Sequence, residues 1–297
     1  MSSPKTLRQT DLDRLMIFHS QVETARRREA SPPKSLADLE YSLFSQFGDD
    51  GIIEYVGSKI PSEFHSFIEF GVEDYKESNT RLLMQRDNWR GLVMDGSEAH
   101  IQTIRSAPYF WRHDLEAVHA FITRDNINDL ISSAGYGGKI GILHIDVDGV
   151  DYWIWKAITT INPLVVICEY NSIFGDTVPI TVPYSADFSR MNHHHSGLYA
   201  GASLAALVHL ATQKGLQFLG ANSAGNNAYF AHPDLNLELP IQTARSGYVR
   251  SKFREARDVN GQLLHKTAHS CIEMISHLPV VNVVTGEETS IAHALEI

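Results

Sequence analysis

Cysteine is scarce in this chain. Cys168 and Cys271 are the only two, they lie far apart, and Cys168 falls within an apolar run that reads as a core strand, so a disulfide framework is excluded and a reducing, cytoplasmic setting is expected. Basic residues are also in short supply: 25 Lys and Arg stand against 35 Asp and Glu, a net charge of −10. Phosphate contacts need a cationic footprint, so a nucleic-acid partner is not expected. No apolar run approaches the roughly 20 residues of a membrane span. The N-terminus is polar and charged without a signal-peptide core, so neither export nor a membrane partner is expected. The glycine spacing G-x-G-x-x-G, which seats a pyrophosphate on helix amides, is missing after the first strand, where Glu69-Phe-Gly-Val-Glu-Asp-Tyr75 has one glycine. Internal repeats and low-complexity tracts are absent too.

Hydrophobic residues make up 43% of the 297, ample for a core. Two stretches dominate the pattern, Gly141-Ile-Leu-His-Ile-Asp-Val-Asp-Gly-Val-Asp151 and Pro163-Leu-Val-Val-Ile-Cys-Glu-Tyr-Asn171. Each is an apolar, β-branched run ending in carboxylates, as a buried parallel strand ends at the carboxyl edge of a sheet. A helical segment at 152–158 joins them into a βαβ unit, and Trp153 and Trp155 on it are placed to cover the sheet. A right-handed crossover then brings Asp146, Asp148, Glu169 and Asn171 into one crevice.

Elsewhere the spacing predicts an amphipathic helix over 6–28, stopped by Ser31-Pro-Pro-Lys34, and a helical stretch over 38–59, interrupted at 46–51 and restarted by a capping Asp. Strands are expected at 64–71, 90–96 and 109–114, with helices at 78–86, 97–105 and 126–134. Residues 173–196, rich in Pro, Gly, Asn and His, read as a long binding loop or lid. A helix at 202–214 precedes strands 216–220 and 227–231, a hairpin that sets one antiparallel strand into a parallel sheet. Weaker signals follow: a basic helical patch at 248–257, a turn at Asn260-Gly261 and a strand at 278–284. This alternation predicts the α/β class, a doubly wound, Rossmann-like sheet covered on both faces, with an N-terminal helical extension. The divisions are 1–35 for the extension, 36–240 for the main domain and 241–297 for a C-terminal extension packing on it. A homodimer through the appended helix is a further expectation.

Acids close the strands in series. In a doubly wound sheet a nucleoside lies across such ends, so Asp95 is placed to accept both ribose hydroxyls. Asp114 reads either as an acceptor for an adenine amino group or as a surface acid. With pyrophosphate disfavoured, a sulfonium nucleoside of positive character suits Glu69, Glu73 and Asp74.

The series Phe67-Ile-Glu-Phe-Gly-Val72, Glu77-Ser-Asn-Thr80, Asn88-Trp-Arg-Gly-Leu-Val-Met-Asp95 and His144-Ile-Asp-Val-Asp-Gly149 resembles the class I S-adenosylmethionine-dependent methyltransferases. It is most similar to the FkbM-like group and its metal-dependent sugar O-methyltransferase relatives, over residues 46–234. The resemblance implies a seven-stranded sheet with a reversed last strand. It implies that Glu69 and Gly71, with Ser78 and Asn79, hold the methionyl part of S-adenosylmethionine and that Asp95 holds the ribose. It departs from the family where Val72-Glu73-Asp74 replaces the usual glycines.

Hard oxygen ligands from two strand ends suit Mg²⁺ or Mn²⁺, and the resemblance implies Asp146, Glu169 and Asn171 as the set, with Asp148 and Asp151 as further candidates beside it. Coordination would lower the pKa of an acceptor hydroxyl while a base takes its proton. Asp146 and His144 lie on one strand face; His144 reads as that base or as a hydrogen-bonded core histidine. His193, His194 and His195 read as a lid group, with His194 the candidate base, or as an exposed turn, and Tyr170, Tyr184 and Arg190 as lid contacts. The expected activity is O-methylation of a hydroxylated small molecule, a sugar or glycosylated natural product. Asp146-Val-Asp148 is also the Asp-x-Asp of metal-dependent glycosyltransferases, and a non-catalytic cofactor-binding scaffold is the third reading.

Overall fold

The two acid-tipped runs are apolar along nearly their whole length, so both faces of each must be covered and they must lie mid-sheet. The computed structural model, which describes residues 8–29, 31–252, 256–264 and 268–297, places them there. In chain order the first half comprises α1 (Gln9–Glu29), α2 (Asp49–Gly57), β1 (Ser66–Phe70), α3 (Arg81–Asp87), β2 (Arg90–Asp95), α4 (Glu98–Ser106), β3 (Leu115–His119) and α5 (Ile127–Ser133). Then follow β4 (Gly138–Ile145), α6 (Asp151–Ala157), β5 (Ile161–Glu169), β6 (Ile180–Thr181), α7 (Arg190–His193), α8 (Leu204–Gln213), β7 (Gln217–Ala221) and β8 (Asn227–Ala231). The C-terminal part holds α9 (Ala268–Ile275), β9 (Pro279–Asn282), β10 (Glu288–Ser290) and α10 (Ile291–Leu295).

Seven strands form one sheet in the order β3-β2-β1-β4-β5-β8-β7. β8 runs antiparallel to both of its neighbours, β5 and β7, and the other pairings are parallel. Alternation along the strands divides the core. Ile68, Phe70, Leu143, Ile145 and Val166 point to the face covered by α5, α6 and α8, where Ile131, Trp155 and Leu207 pack. Phe67, Val93, Ile142 and Val165 point to the other, covered by Ile52, Leu83 and Ile104 of α2, α3 and α4. Trp155 packs in the core on the α5, α6 and α8 face, its ring tilted against Phe230 with centres 5.1 Å apart, as its place on the crossover helix predicts.

The N-terminal extension is tied down by charge. Asp13 of α1 pairs with buried Arg81 at 2.9 Å. Glu54 receives Arg27 at 3.0 Å, Arg86 at 2.8 Å and the Tyr41 hydroxyl at 2.9 Å. The C-terminal segment belongs to the same core, with Ile275, Val280 and Ile291 fully buried. Its β9 pairs with β10 and with β6, so the long loop after β5 is strapped to it.

Four expectations change. Only Leu36–Leu39, a 3-10 turn, and α2 form within 38–59, and the residue capping α2 is Gly48. Asp50 instead accepts the backbone N–H groups of Leu43, Phe44 and Ser45 and so folds the preceding loop. The aromatic run at 109–114 makes a 3-10 turn, Phe110–Arg112, and the strand begins one residue after Asp114. No helix forms over 248–252; 253–255 of that expected patch, like the start of the 6–28 helix before Arg8, lies outside the described residues. Among the described residues no helix is long and apolar enough to cross a membrane.

Because two arginines and a tyrosine share Glu54, Glu54→Ala would strand partly buried cations. Breaking a buried pair costs about 3–5 kcal/mol, and the partial exposure of the arginines brings the expectation to about 2–3 kcal/mol. Urea titration should show the loss, with faster proteolysis in the 31–34 linker; an unchanged midpoint would mean that α1 is held by other contacts.

Candidate functional site

The strand order reverses between β1 and β4, and at the carboxyl ends of these strands a cleft of about 590 Å³ opens. Turns after β1, β2, β3 and β4 line it, together with Glu69, Asp146, Glu169 and the β7–β8 hairpin residue Asn227.

Glu69 organises the first wall. Its Oε1 accepts from the Asn79 N–H and from His144 Nδ1, each at 3.0 Å. Its Oε2 accepts from Ser78 Oγ at 2.7 Å, the Thr80 N–H at 3.2 Å and the Thr80 hydroxyl. Burial would raise this carboxyl's pKa, but the His144 contact and the hydroxyl donors outweigh it and hold Glu69 below the usual range. For His144 burial pulls down and Glu69 pulls up, and the charge of Glu69 prevails. The other ring nitrogen, Nε2, lies 3.0 Å from Asn79 Nδ2. Both nitrogens are therefore engaged within the protein, as the reading of His144 as a hydrogen-bonded core histidine expects. Glu69 and Ser78 border the cleft with their polar atoms turned on one another; they position the turn that carries Asn79.

Gly71 is required by close approach. Its φ is +70°, and a Cβ there would stand 1.7 Å from the carbonyl oxygen of Asp146. Asp95 closes β2 on the cleft. Its Oδ1 accepts from the Ser97 N–H at 2.8 Å and His100 Nδ1 at 3.0 Å, while Oδ2 accepts from the Glu73 N–H at 2.8 Å. Oδ2 thus keeps an acceptor position for a ligand hydroxyl.

Three expected site residues lie elsewhere. Asp114 precedes β3, at the edge opposite the cleft, where its carboxylate is 3.8 Å from Arg90 and 78% exposed; the misplaced strand had put it at the wrong end. His194 lies against His195, their rings tilted with centres 4.3 Å apart, hydrogen-bonds Ser196 Oγ at 2.7 Å and faces His277, outside the cleft lining. Asn171 spends its carboxamide on the backbone: Nδ2 donates to the Leu198 and Ala200 carbonyls, and Oδ1 accepts from the Ile173 N–H. It holds the lid's return and is not a metal ligand in this geometry.

Asp148 takes its place. One carboxylate oxygen each from Asp146, Asp148 and Glu169 lie within 4.8 Å of one another. Asp151, at the start of α6, shapes the loop that brings them there, accepting from the Val147 N–H at 2.8 Å and the Gly149 N–H at 3.0 Å. Asp148 sits at φ +57° and takes a 3.0 Å hydrogen bond from Arg190 of α7. Burial and the neighbouring acids push Asp146 up to about 7 and Glu169 well above the carboxylate range. Two buried acids disfavoured in their charged forms, with the Asp148 carboxylate converging on them, suit a hard divalent cation, which would offset that repulsion.

Other lining residues carried no separate signal. Asp49, at the head of α2, accepts from Asn222, Asn227 and the Tyr229 hydroxyl. Asn227 Oδ1, buried beside the cleft, has no hydrogen-bond partner among the described residues. Phe188 and Met191 bring apolar surface from the lid, and Phe188 lies against Gly149, where a Cβ would meet its ring at 2.2 Å. Of these, only the Asp49-Asp50 pair before an apolar run was visible as a pattern.

No family model and no curated protein match the chain. Solved structures do. PKMT2 from Rickettsia typhi, in complex with AdoHcy, aligns with TM-score 0.42 and 13% identity over 68% of this chain, which spans 56% of that protein. An O-methyltransferase from Bacillus cereus in complex with SAH gives TM-score 0.38 and 13% identity, covering 76% of this chain and 91% of that one. An S-adenosylmethionine-dependent methyltransferase from Clostridium acetobutylicum gives 0.39 and 10%, covering 62% and 90%.

The acid cluster makes a prediction with a definite sign. In EDTA folded Asp146 keeps its proton up to about pH 7, whereas the unfolded group releases it near 3.8, so the folded state binds more protons between those values. Stability then falls as pH rises through that window. Melting in EDTA should drop by several degrees between pH 5 and pH 8, and Mg²⁺ or Mn²⁺ should raise it more at pH 8 than at pH 5; a pH-flat, metal-insensitive melt would refute the cluster's charge balance.

Proposed function

We propose that this chain is an S-adenosylmethionine-dependent O-methyltransferase acting on a hydroxylated small molecule, with a divalent cation held by Asp146, Asp148 and Glu169. The observation that carries the reading is the joining, in one cleft, of the Gly71 turn and Asp95 with three converging acids. The first pair suits a nucleoside lying across the β1 and β2 ends, with Asp95 Oδ2 towards the ribose and Asn79 and Asn227 Oδ1 near its amino-acid end. The acids suit an acceptor bearing hydroxyls. A cation there would lower the pKa of a bound hydroxyl. The protein's own part is positional. Glu69 fixes the turn that carries Asn79, Asp151 fixes the loop that carries Asp146 and Asp148, and Phe188 and Met191 supply a lid that excludes water. With His144 and His194 out of the role, Asp146 is the cleft acid placed to receive the acceptor's proton. Sugar acceptors fit the hydroxyl-binding acids, and the Phe188 surface would stack on a sugar ring's apolar face.

Isothermal titration with S-adenosylmethionine and S-adenosylhomocysteine, before and after EDTA, tests the reading, with a nucleotide sugar as control. Binding of either sulfur nucleoside is expected. Heat only from the nucleotide sugar with Mn²⁺ would instead establish the glycosyltransferase chemistry that Asp146-Val-Asp148 also suits. Among variants, Asp95→Ala should weaken S-adenosylhomocysteine about 10- to 100-fold, the worth of a hydrogen bond to a charged acceptor, and spare Mn²⁺ binding. Asp146→Asn should abolish methyl transfer and leave nucleoside affinity within about threefold, because it changes the acceptor side alone. Equal loss of nucleoside binding in both variants would show that the two halves of the cleft are misassigned.

A further inference from the structure

A second cavity, of about 600 Å³, lies apart from the cleft, between α1, α3, α4 and the turn that follows α4. Its size is that of a small-molecule site. Its charged lining reverses the sign of the whole molecule. Arg14, Lys76, Arg81 and Arg112 face only Asp13 and Asp74, in a chain whose net charge is −10. Arg81 and Asp13 neutralise each other at 2.9 Å, and Lys76 pairs with Asp74, which leaves the two arginines at the mouth in excess. Among the described residues Arg14 reaches a carboxylate only at 3.9 Å, on Asp11. Arg112 has no carboxylate partner among the described residues; its guanidinium lies over the ring of Trp111, which is 77% exposed. The walls are of another character. Ile17, Ala107, Pro108 and Tyr109 give an apolar surface with one aromatic ring. Tyr109 is braced by Arg81, whose guanidinium lies 5.1 Å from its ring centre, yet its hydroxyl makes no hydrogen bond to the described residues.

We infer that this cavity is a second ligand site, for a small amphipathic anion whose aromatic or apolar body lies on Tyr109, Pro108 and Ile17 and whose acidic head meets Arg14 and Arg112. Charge complementarity chooses the anion, since the guanidiniums at the mouth offer paired N–H donors to a carboxylate, sulfonate or phosphate. The ring that stacks on Tyr109 sets the body. The site does not share the cleft's acids, and it stands or falls without the methyltransferase reading.

Titration of the full-length protein with 8-anilinonaphthalene-1-sulfonate, followed by fluorescence, tests it. One saturable site per chain is expected. Arg112→Glu and Ala107→Trp, which reverse the charge and fill the space, should each weaken it at least about tenfold, the scale of a lost charge-assisted hydrogen bond. Met191→Glu at the lip of the main cleft should leave it within about twofold, as that side chain lies outside the cavity. Displacement by 2-naphthoate or by 2-naphthyl phosphate supports the site and distinguishes a carboxylate head from a phosphate one. Non-saturating fluorescence, indifference to both cavity variants, displacement by neither competitor, or loss on Met191→Glu would overturn the inference.

Discussion

The buried carboxylate of Glu69 is the constraint on which the cleft depends. A carboxylate out of water must be compensated, and here five donors converge on it, from Ser78, Asn79, Thr80 and His144. These donors come from the turn before α3 and from β4, so meeting the need of one acid fixes the β1 turn, the residues at 78–80 and a neighbouring strand at once. The geometry around Gly71 follows from this. With β1 and β4 held together, the Asp146 carbonyl passes so close to residue 71 that only a residue without a side chain can stand there.

The cleft sets satisfied acids against unsatisfied ones, and that contrast divides structure from chemistry more surely than residue type does. Glu69, Asp49 and Asp151 are buried and each collects backbone or side-chain donors. Asp146 and Glu169 converge with Asp148 instead, and their raised pKa values record burial and mutual repulsion. Keeping such groups together costs stability, which is the usual mark of a place kept for a ligand.

Much of this was legible in the sequence because the buried strands carry a strong signal. β4, β5 and the β7–β8 hairpin are apolar, β-branched or turn-bounded, and the meeting of their acid tips follows from the crossover rule. β3 was misplaced for a physical reason. It is an edge strand with alternating exposure, Leu115-Glu-Ala-Val-His119, whereas the aromatic run ahead of it mimics a strand while following Pro108 into a turn. Asp114 was carried to the wrong edge with it. The roles of His144 and Asn171 were beyond a linear reading. Period-2 alternation rightly put His144 on the face of Asp146, but its two nitrogens are taken by residues 65 and 75 positions away. Asn171 is drawn away from the acid cluster by carbonyls 27 and 29 residues downstream.

Where the lid is fastened bears on what can move. The segment after β5 is held at its base, because β6 joins the C-terminal β9 and Asn171 grips the returning backbone at Leu198 and Ala200. Between those fixed points, 184–195 carries exposed positions and the short α7, joined to the acid cluster through Arg190 and Asp148. That span lies between the two fastened points, and the C-terminal β9 underlies its base at β6. In the proposed reading, a cation that drew Asp148 inward would compete directly with Arg190 for the same carboxylate.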